Sequence, residues 1–239
     1  MSEEESQSLS SVVETMLITL YLRAMESQRP DPLIKDERAV ELVTQMSFDF
    51  AWVRQVPMSE VNKVTIILRN RQFDRYVRDF LECSPEAAVV HIGCGLDSRF
   101  ERVDNGQVEW DDLDLSEVIA LRREVIGGEG QRYHLLGCSV LEETWMEMVG
   151  LPRQHPCLFL AEGVFMYFEE AQVKSLVLRL RDLFPGAERV FDAFSTFHIW
   201  RSNLQVSIAK LYDRFPRLHW GLWRRQEVEG WGDGIYLLG

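Results

Sequence analysis

The chain predicts an α/β protein in which a mostly parallel sheet, covered by helices on both faces, follows a helical N-terminal region. Three observations carry this. After Pro85, short apolar runs alternate with segments of helical period. The first of these runs, Val89-Val90-His91-Ile92, ends in the turn Gly93-Cys94-Gly95, and a second closes on Asp114 about 20 residues later. Before Pro85, apolar residues recur only at helical spacing.

In chain order, residues 1–10 are acidic and polar and read as frayed. Val12, Val13, Met16, Leu17, Leu20, Tyr21 and Ala24 predict a helix over 11–27, which Arg29-Pro30-Asp31-Pro32 breaks. Asp36 is placed to cap a second helix through residue 46. A third spans 59–82, its apolar side formed by Ile66, Ile67, Phe73, Tyr76, Val77, Phe80 and Leu81. Strands are predicted at 87–93, 108–114, 131–137, 157–163 and 188–194, and helices at 116–126, 142–149, 169–184 and 196–215. The apolar runs 219–223 and 235–238 predict a terminal hairpin, and so an antiparallel C-terminal strand. The organisation is thus a helical cap region over 1–84 and a core over 85–239, closed by a lid helix and hairpin, in one structural domain of 239 residues.

Composition narrows the function classes. A net charge of −12 opposes phosphate backbones and anionic lipid surfaces, which argues against nucleic-acid and membrane partners. No apolar stretch approaches the ~20 residues of a membrane helix, and Met1 to Ser10 lacks the basic start of a signal peptide. Cys83, Cys94, Cys138 and Cys157 show neither a Cys-x-x-Cys pair nor zinc-ligand spacing. They read as buried free thiols, which places the protein in a reducing cytoplasm.

A glycine turn at the carboxyl end of a first parallel strand lets the backbone bend sharply and lets a ligand approach without a Cβ between them. The third glycine of the dinucleotide fingerprint is replaced here by Ser98. On the second strand, Glu109-Trp110-Asp111-Asp112-Leu113-Asp114 ends in acids, where a carboxylate can take both hydroxyls of a ribose. Asp112 and Asp114 share one strand face.

Five blocks make the chain, from about Tyr21 to Trp231, resemble the leucine carboxyl methyltransferase family. These are Arg69-Asn70-Arg71-Gln72-Phe73-Asp74, Gly93-Cys94-Gly95-Leu96-Asp97-Ser98-Arg99, residues 110–116, residues 139–145 and Ala161-Glu162-Gly163-Val164-Phe165-Met166-Tyr167. The resemblance implies a Rossmann-like class I methyltransferase sheet. It also implies transfer of a methyl group from S-adenosylmethionine, leaving S-adenosylhomocysteine, to a carboxylate or phenolic hydroxyl of a polyketide-like small molecule. By the same resemblance, Arg69 grips the carboxylate of the cofactor's methionine part, Gly93 and Gly95 let that part lie on the backbone, Asp114 holds the ribose and Glu162 meets the amino group. Ser139 and Val140 border the adenine, and Tyr167 stands at the acceptor side as the catalytic candidate. The family aspartate that meets the adenine amine falls on Ser139, a shorter and uncharged acceptor, and its Arg-Asp neighbours are Leu141-Glu142.

Other readings remain beside this one. A nicotinamide-dependent oxidoreductase uses the same kind of sheet, but the missing third glycine and the lack of a Tyr-x-x-x-Lys pair oppose it. A cofactor-binding protein with weak or no catalysis is the reading Ser139 suggests. His91 and His134 fit hydrogen-bonded core positions, whereas His198 and His219 lie near the acceptor lid. The C-terminal tryptophans 200, 220, 223 and 231 form either core or an aromatic wall around the acceptor. No residue stands out as a base, which favours a carboxylate acceptor, already ionised at neutral pH, or a readily ionised phenol. The sequence leaves the oligomeric state open.

Overall fold

The structure, a computed structural model, describes residues 3–46, 48, 50–56, 58–149, 155–208 and 215–238, with side chains from Glu14 onward. Five strands, β1 (Ala88–Ile92), β2 (Glu109–Asp114), β3 (Tyr133–Gly137), β4 (Cys157–Ala161) and β5 (Glu188–Phe191), form one sheet in the order β3-β2-β1-β4-β5. Every pairing is parallel: Val89 sits opposite Trp110 on one side and Leu158 on the other.

The central strands are buried on both faces, and their alternation divides the core in two. Ala88, Val90, Ile92, Cys157, Phe159 and Ala161 pack on one face against Trp145 and Val173, Leu176, Val177 and Leu180. These belong to α7 (Thr144–Met148) and α8 (Glu170–Leu183). Val89, Leu158 and Leu160 pack on the other face against Phe73, Val77 and Leu81 of α4 (Glu60–Cys83) and Val103 of α5 (Arg99–Val103). The period of two in the strands against 3.6 in the helices makes this two-faced burial possible.

The N-terminal helices form a third cluster. Met16, Leu17, Leu20, Tyr21 and Ala24 of α1 (Glu3–Ser27) meet Ala39 and Leu42 of α2 (Glu37–Gln45), and Leu96 of the glycine turn joins them. Asp36 caps α2 as expected, accepting the Ala39 N–H at 2.9 Å. Ser59 caps α4 in the same way. The helix α6 (Ser116–Val125) completes the βαβ crossover between β2 and β3.

The chain departs from the sequence reading in four places. α1 begins at Glu3, so residues 3–10, expected to fray, are helical, while residues 1 and 2 lie outside the described residues; a run of glutamates suits the positive end of a helix dipole. The segments α3 (Ala51–Gln55) and α5 were not foreseen, because five residues are too few to display a helical period. The helix expected over 196–215 is α9 (Thr196–Ile208), and residues 209–214 lie outside the described residues. The terminal hairpin does not form, and no antiparallel strand joins the sheet among the described residues. Leu222 makes a single parallel bridge to Ser195 instead. Trp220, Val228 and Trp231 bury themselves in the core beside Phe165 and Phe191, and that packing replaces strand pairing. No helix among the described residues is long and apolar enough to cross a membrane.

Candidate active site

The sheet order reverses between β1, which leads outward to β2, and β4, which leads to β5. Ligands in open α/β sheets bind at this switch point, outside the carboxyl ends of the strands. A cavity of about 760 Å³ opens there. All eight residues singled out by the sequence line it: Arg69, Gly93, Gly95, Asp114, Ser139, Val140, Glu162 and Tyr167.

The glycine turn forms the floor. Gly93 has φ +65° and Gly95 φ +50°, a region that residues with a Cβ rarely enter. A Cβ on Gly93 would lie 2.3 Å from Val164 Cγ2. The turn is held from both sides by arginines that the sequence reading missed. Arg122 of α6 donates to Gly95 O at 2.8 Å and Asp97 O at 2.6 Å, and Arg23 of α1 donates to Leu96 O at 2.8 Å. The signal was present: Arg122 falls on the inner face of α6, with Val118 and Ile119.

Asp114 stands at one end of the cavity. Its carboxylate accepts the Gly95 and Leu115 N–H groups, each at 2.8 Å. Burial raises its pKa, a shift these N–H groups only partly offset. Asp112, on the same strand face, does another job. It is fully buried, accepts from Trp110 Nε1 at 2.9 Å and Tyr133 Oη at 2.6 Å, and pairs with His91 and Arg122. Burial alone would raise its carboxyl, but the Arg122 guanidinium and the His91 and Tyr133 contacts hold it at about 2. His91 is the hydrogen-bonded core residue expected, bridging Asp112 and Arg99. His134 is not: its side chain is 43% exposed and pairs with Asp111.

At the other end a charged cluster converges from four elements. Arg69 Nε donates to Glu162 Oε1 at 2.8 Å and its Nη1 to Asp192 Oδ2 at 3.0 Å. Asn70 Nδ2 also reaches Glu162 Oε1, at 2.7 Å, and Arg99 Nη2 reaches Glu162 Oε2 at 2.5 Å. Asp192 accepts the Gly163 N–H at 2.7 Å, fixing the turn after β4. Burial disfavours charge on Arg69, but Glu162 and Asp192 outweigh it and raise its pKa. Asn70 and Asp192 were missed, although a lone acid just past β5 is the same signal that marked Glu162 just past β4. Arg71, in contrast, is exposed.

Tyr167 lies in a single 3-10 turn, Phe165–Tyr167, on the wall beyond Glu162. Burial pushes its phenol up despite nearby Arg69 and a hydrogen bond with Thr15 of α1, so it stays protonated near neutrality. Ser139 Oγ accepts the Leu141 N–H at 3.3 Å beside the half-buried Cys138. Cys94 and Cys157 are buried and Cys83 is exposed, so only part of the thiol expectation holds. His198 stacks on Phe194 and is not on the cavity wall, whereas His219 is. Trp200 and Trp223 are exposed, Trp220 and Trp231 are core, and none of the four lines the cavity.

Comparison with known proteins agrees with this architecture. The chain is 37% identical over 190 residues to the tetracenomycin polyketide synthesis O-methyltransferase TcmP of Streptomyces glaucescens, covering 79% of this chain and 68% of that protein. It is 30% identical over 201 residues to the S-adenosyl-L-methionine-dependent methyltransferase dpfgK of Gibberella zeae, covering 77% of this chain and 67% of that one. Among solved structures, a DUF574-family protein of Streptomyces avermitilis superposes with a TM-score of 0.60 at 12% identity, over 94% of this chain and 84% of that one. A candidate methyltransferase from Thermobifida fusca gives 0.59 at 14% identity, over 91% and 80%. These two likenesses concern the fold, which is the Rossmann-like sheet expected. Residues 16–180 match the profile of leucine carboxyl methyltransferases, and the chain belongs to that family.

Proposed function

We propose that this cavity binds S-adenosylmethionine between Asp114 and the Arg69–Glu162 cluster and directs its methyl group to an oxygen of a small, polyketide-like acceptor. Family membership makes the chain an S-adenosylmethionine-dependent methyltransferase. The observation that carries the site assignment is the pairing of one carboxylate at the end of β2 with a mixed-charge cluster after β4, across a floor of two left-handed glycines. The donor set suits the molecule. A carboxylate takes ribose hydroxyls, and a zwitterionic amino acid is met by a guanidinium and two carboxylates. The cavity volume falls within the ~300–1,000 Å³ usual for small-molecule sites.

In this reading Asp114 holds the ribose, and Gly93 and Gly95 let the methionine part lie against the backbone. Arg69 takes its carboxylate, and Glu162 with Asp192 takes its ammonium. Ser139 and Val140 border the adenine. When bound, the cofactor supplies a methyl group on a sulfonium. The protein aligns the acceptor oxygen with it and excludes water. Tyr167, protonated, donates a hydrogen bond on the acceptor side. The charge of −12 supports a small-molecule acceptor over nucleic acid. Four free thiols support a cytoplasmic setting.

Isothermal titration with S-adenosylmethionine, S-adenosylhomocysteine and NAD tests the site. Saturable binding of the first two and none of NAD is the expected result. Turnover with a panel of aromatic acids and phenols then separates an enzyme from a protein that only binds the cofactor.

A further inference from the structure

A second cavity, of about 350 Å³, lies beside the first. Both occupy the groove between α1 and α4. On α1, Thr15 and Thr19 face the first cavity, and Tyr21, Leu22 and Met25 face the second. On α4 the order is reversed: Ile66, Arg69 and Asn70 face the first, and Lys63 and Val64 the second. The two helices therefore run antiparallel along one groove, which leads away from the Arg69–Glu162 cluster. From Thr15 to Met25 it follows α1 for about 15 Å, at ~1.5 Å per residue. Ile18 and Met58 line both cavities and form the partition between them. A thioether on three rotatable bonds adapts to whatever lies beside it, so the Met58 side of the partition can yield.

Size and charge say what the second cavity suits. The first, at about 760 Å³, is of the size that one small molecule ordinarily fills, ~300–1,000 Å³. In the reading above the cofactor takes much of it, so a long acceptor must continue along the groove. The apolar walls of the second cavity and its Tyr21 ring suit flat rings. Its rim is charged. Arg29 is paired with Glu26 at 3.2 Å and Lys63 with Glu60 at 2.7 Å. Arg54, on α3, has no carboxylate partner among the described residues. Its Nε donates to Tyr21 Oη at 2.8 Å, and its guanidinium lies over the Tyr21 ring, 5.8 Å from the centroid. One cation of the rim is thus left for an anion from outside the chain.

We propose that the second cavity is a distal acceptor subsite. It takes the far end of an elongated, fused aromatic acceptor whose reacting oxygen lies in the first cavity, and Arg54 meets an anionic oxygen substituent at that far end. The acceptor passes between Ile18 and Met58, and the protein selects it by length and by far-end charge. This inference rests on the proposed function and holds for a carboxylate or a phenolic reacting oxygen alike.

Methionine methyl NMR of the S-adenosylhomocysteine-bound protein tests this without turnover, because the cavities carry their own reporters: Met166 lines the first, Met25 the second and Met58 both. Titration with anthracene-2,6-dicarboxylic acid should shift all three methyl signals with one common affinity. The wild type should prefer this probe to anthracene-2-carboxylic acid by about fivefold, the worth of one ion pair at an exposed rim. Arg54→Met should abolish that preference. A Met25 signal that the dicarboxylate leaves unmoved, or shifts with an affinity different from that of Met166, overturns the proposal, as does the lack of a shift at any methionine. An undiminished preference in Arg54→Met removes Arg54 from the subsite. Calorimetry on the wild type keeps the two readings apart: failure to bind S-adenosylhomocysteine would remove the proposed function instead.

Discussion

Arg69 and Glu162, drawn from α4 and from the turn after β4, are bonded to each other at 2.8 Å, yet the proposed cofactor site assigns them to opposite charges of one amino-acid group. In that proposal the pair is a preformed zwitterion receptor. Asn70, Arg99 and Asp192 fix its geometry, so a ligand carrying both charges exchanges one set of ion contacts for another with little rearrangement.

Arg69→Met should therefore weaken S-adenosylhomocysteine binding by roughly 10- to 100-fold, the equivalent of one charge-assisted hydrogen bond or two. Glu162 keeps Asn70 and Arg99, so the fold should survive. Calorimetry on the variant, beside its thermal midpoint, checks both halves. Undiminished affinity would detach Arg69 from the cofactor.

Asp114 should make binding pH-dependent. Its raised pKa means the carboxylate proposed to hold the ribose is protonated sooner, as pH falls, than an ordinary aspartate at about 3.9. Affinity for S-adenosylhomocysteine should be full near neutrality and decline in the weakly acid range before the fold is lost. Asp114→Ala should bind at least about tenfold more weakly. A wild-type affinity flat down to the onset of unfolding would contradict the role.

Ser139 offers a gain-of-function test. Placing an aspartate there supplies a charged acceptor beside the proposed position of the adenine amine. Ser139→Asp should tighten S-adenosylmethionine binding by about 5- to 30-fold, or about 1–2 kcal/mol. The comparison is a pair of titrations under one buffer. Weaker binding would show that the adenine lies elsewhere.

Asp112 governs stability. Its folded pKa of about 2 lies below the unfolded value near 3.9, so its contribution is present above about pH 4 and is lost as pH falls towards 2. That contribution is roughly 2–3 kcal/mol. Asp112→Ala also leaves Arg122 buried without its carboxylate and should cost about 3–5 kcal/mol. Urea denaturation at pH 7 and at pH 3 measures both. Because Arg122 also holds the carbonyls of the glycine turn, this variant should lose cofactor affinity as well.

The local order of this protein was legible without coordinates. Short apolar runs located all five strands of the sheet, Asp36 and Ser59 announced helix starts, and the positions of Gly93, Asp114 and Glu162 at strand ends marked the side on which the cavity opens. Each of these signals is carried by neighbours in the chain. The terminal hairpin failed as a reading because Trp220 and Trp231 gain more by entering the core than their segments gain by pairing, and no local pattern weighs those alternatives. The same limit hid Asp192 from Arg69, Arg122 from the glycine turn and Glu169 from His219. The sequence by itself determined where the strands run and which residues end them. The tertiary structure alone decided which charges meet, because a buried charge is stable only beside a partner, and that partner is supplied by whichever element the packing brings against it.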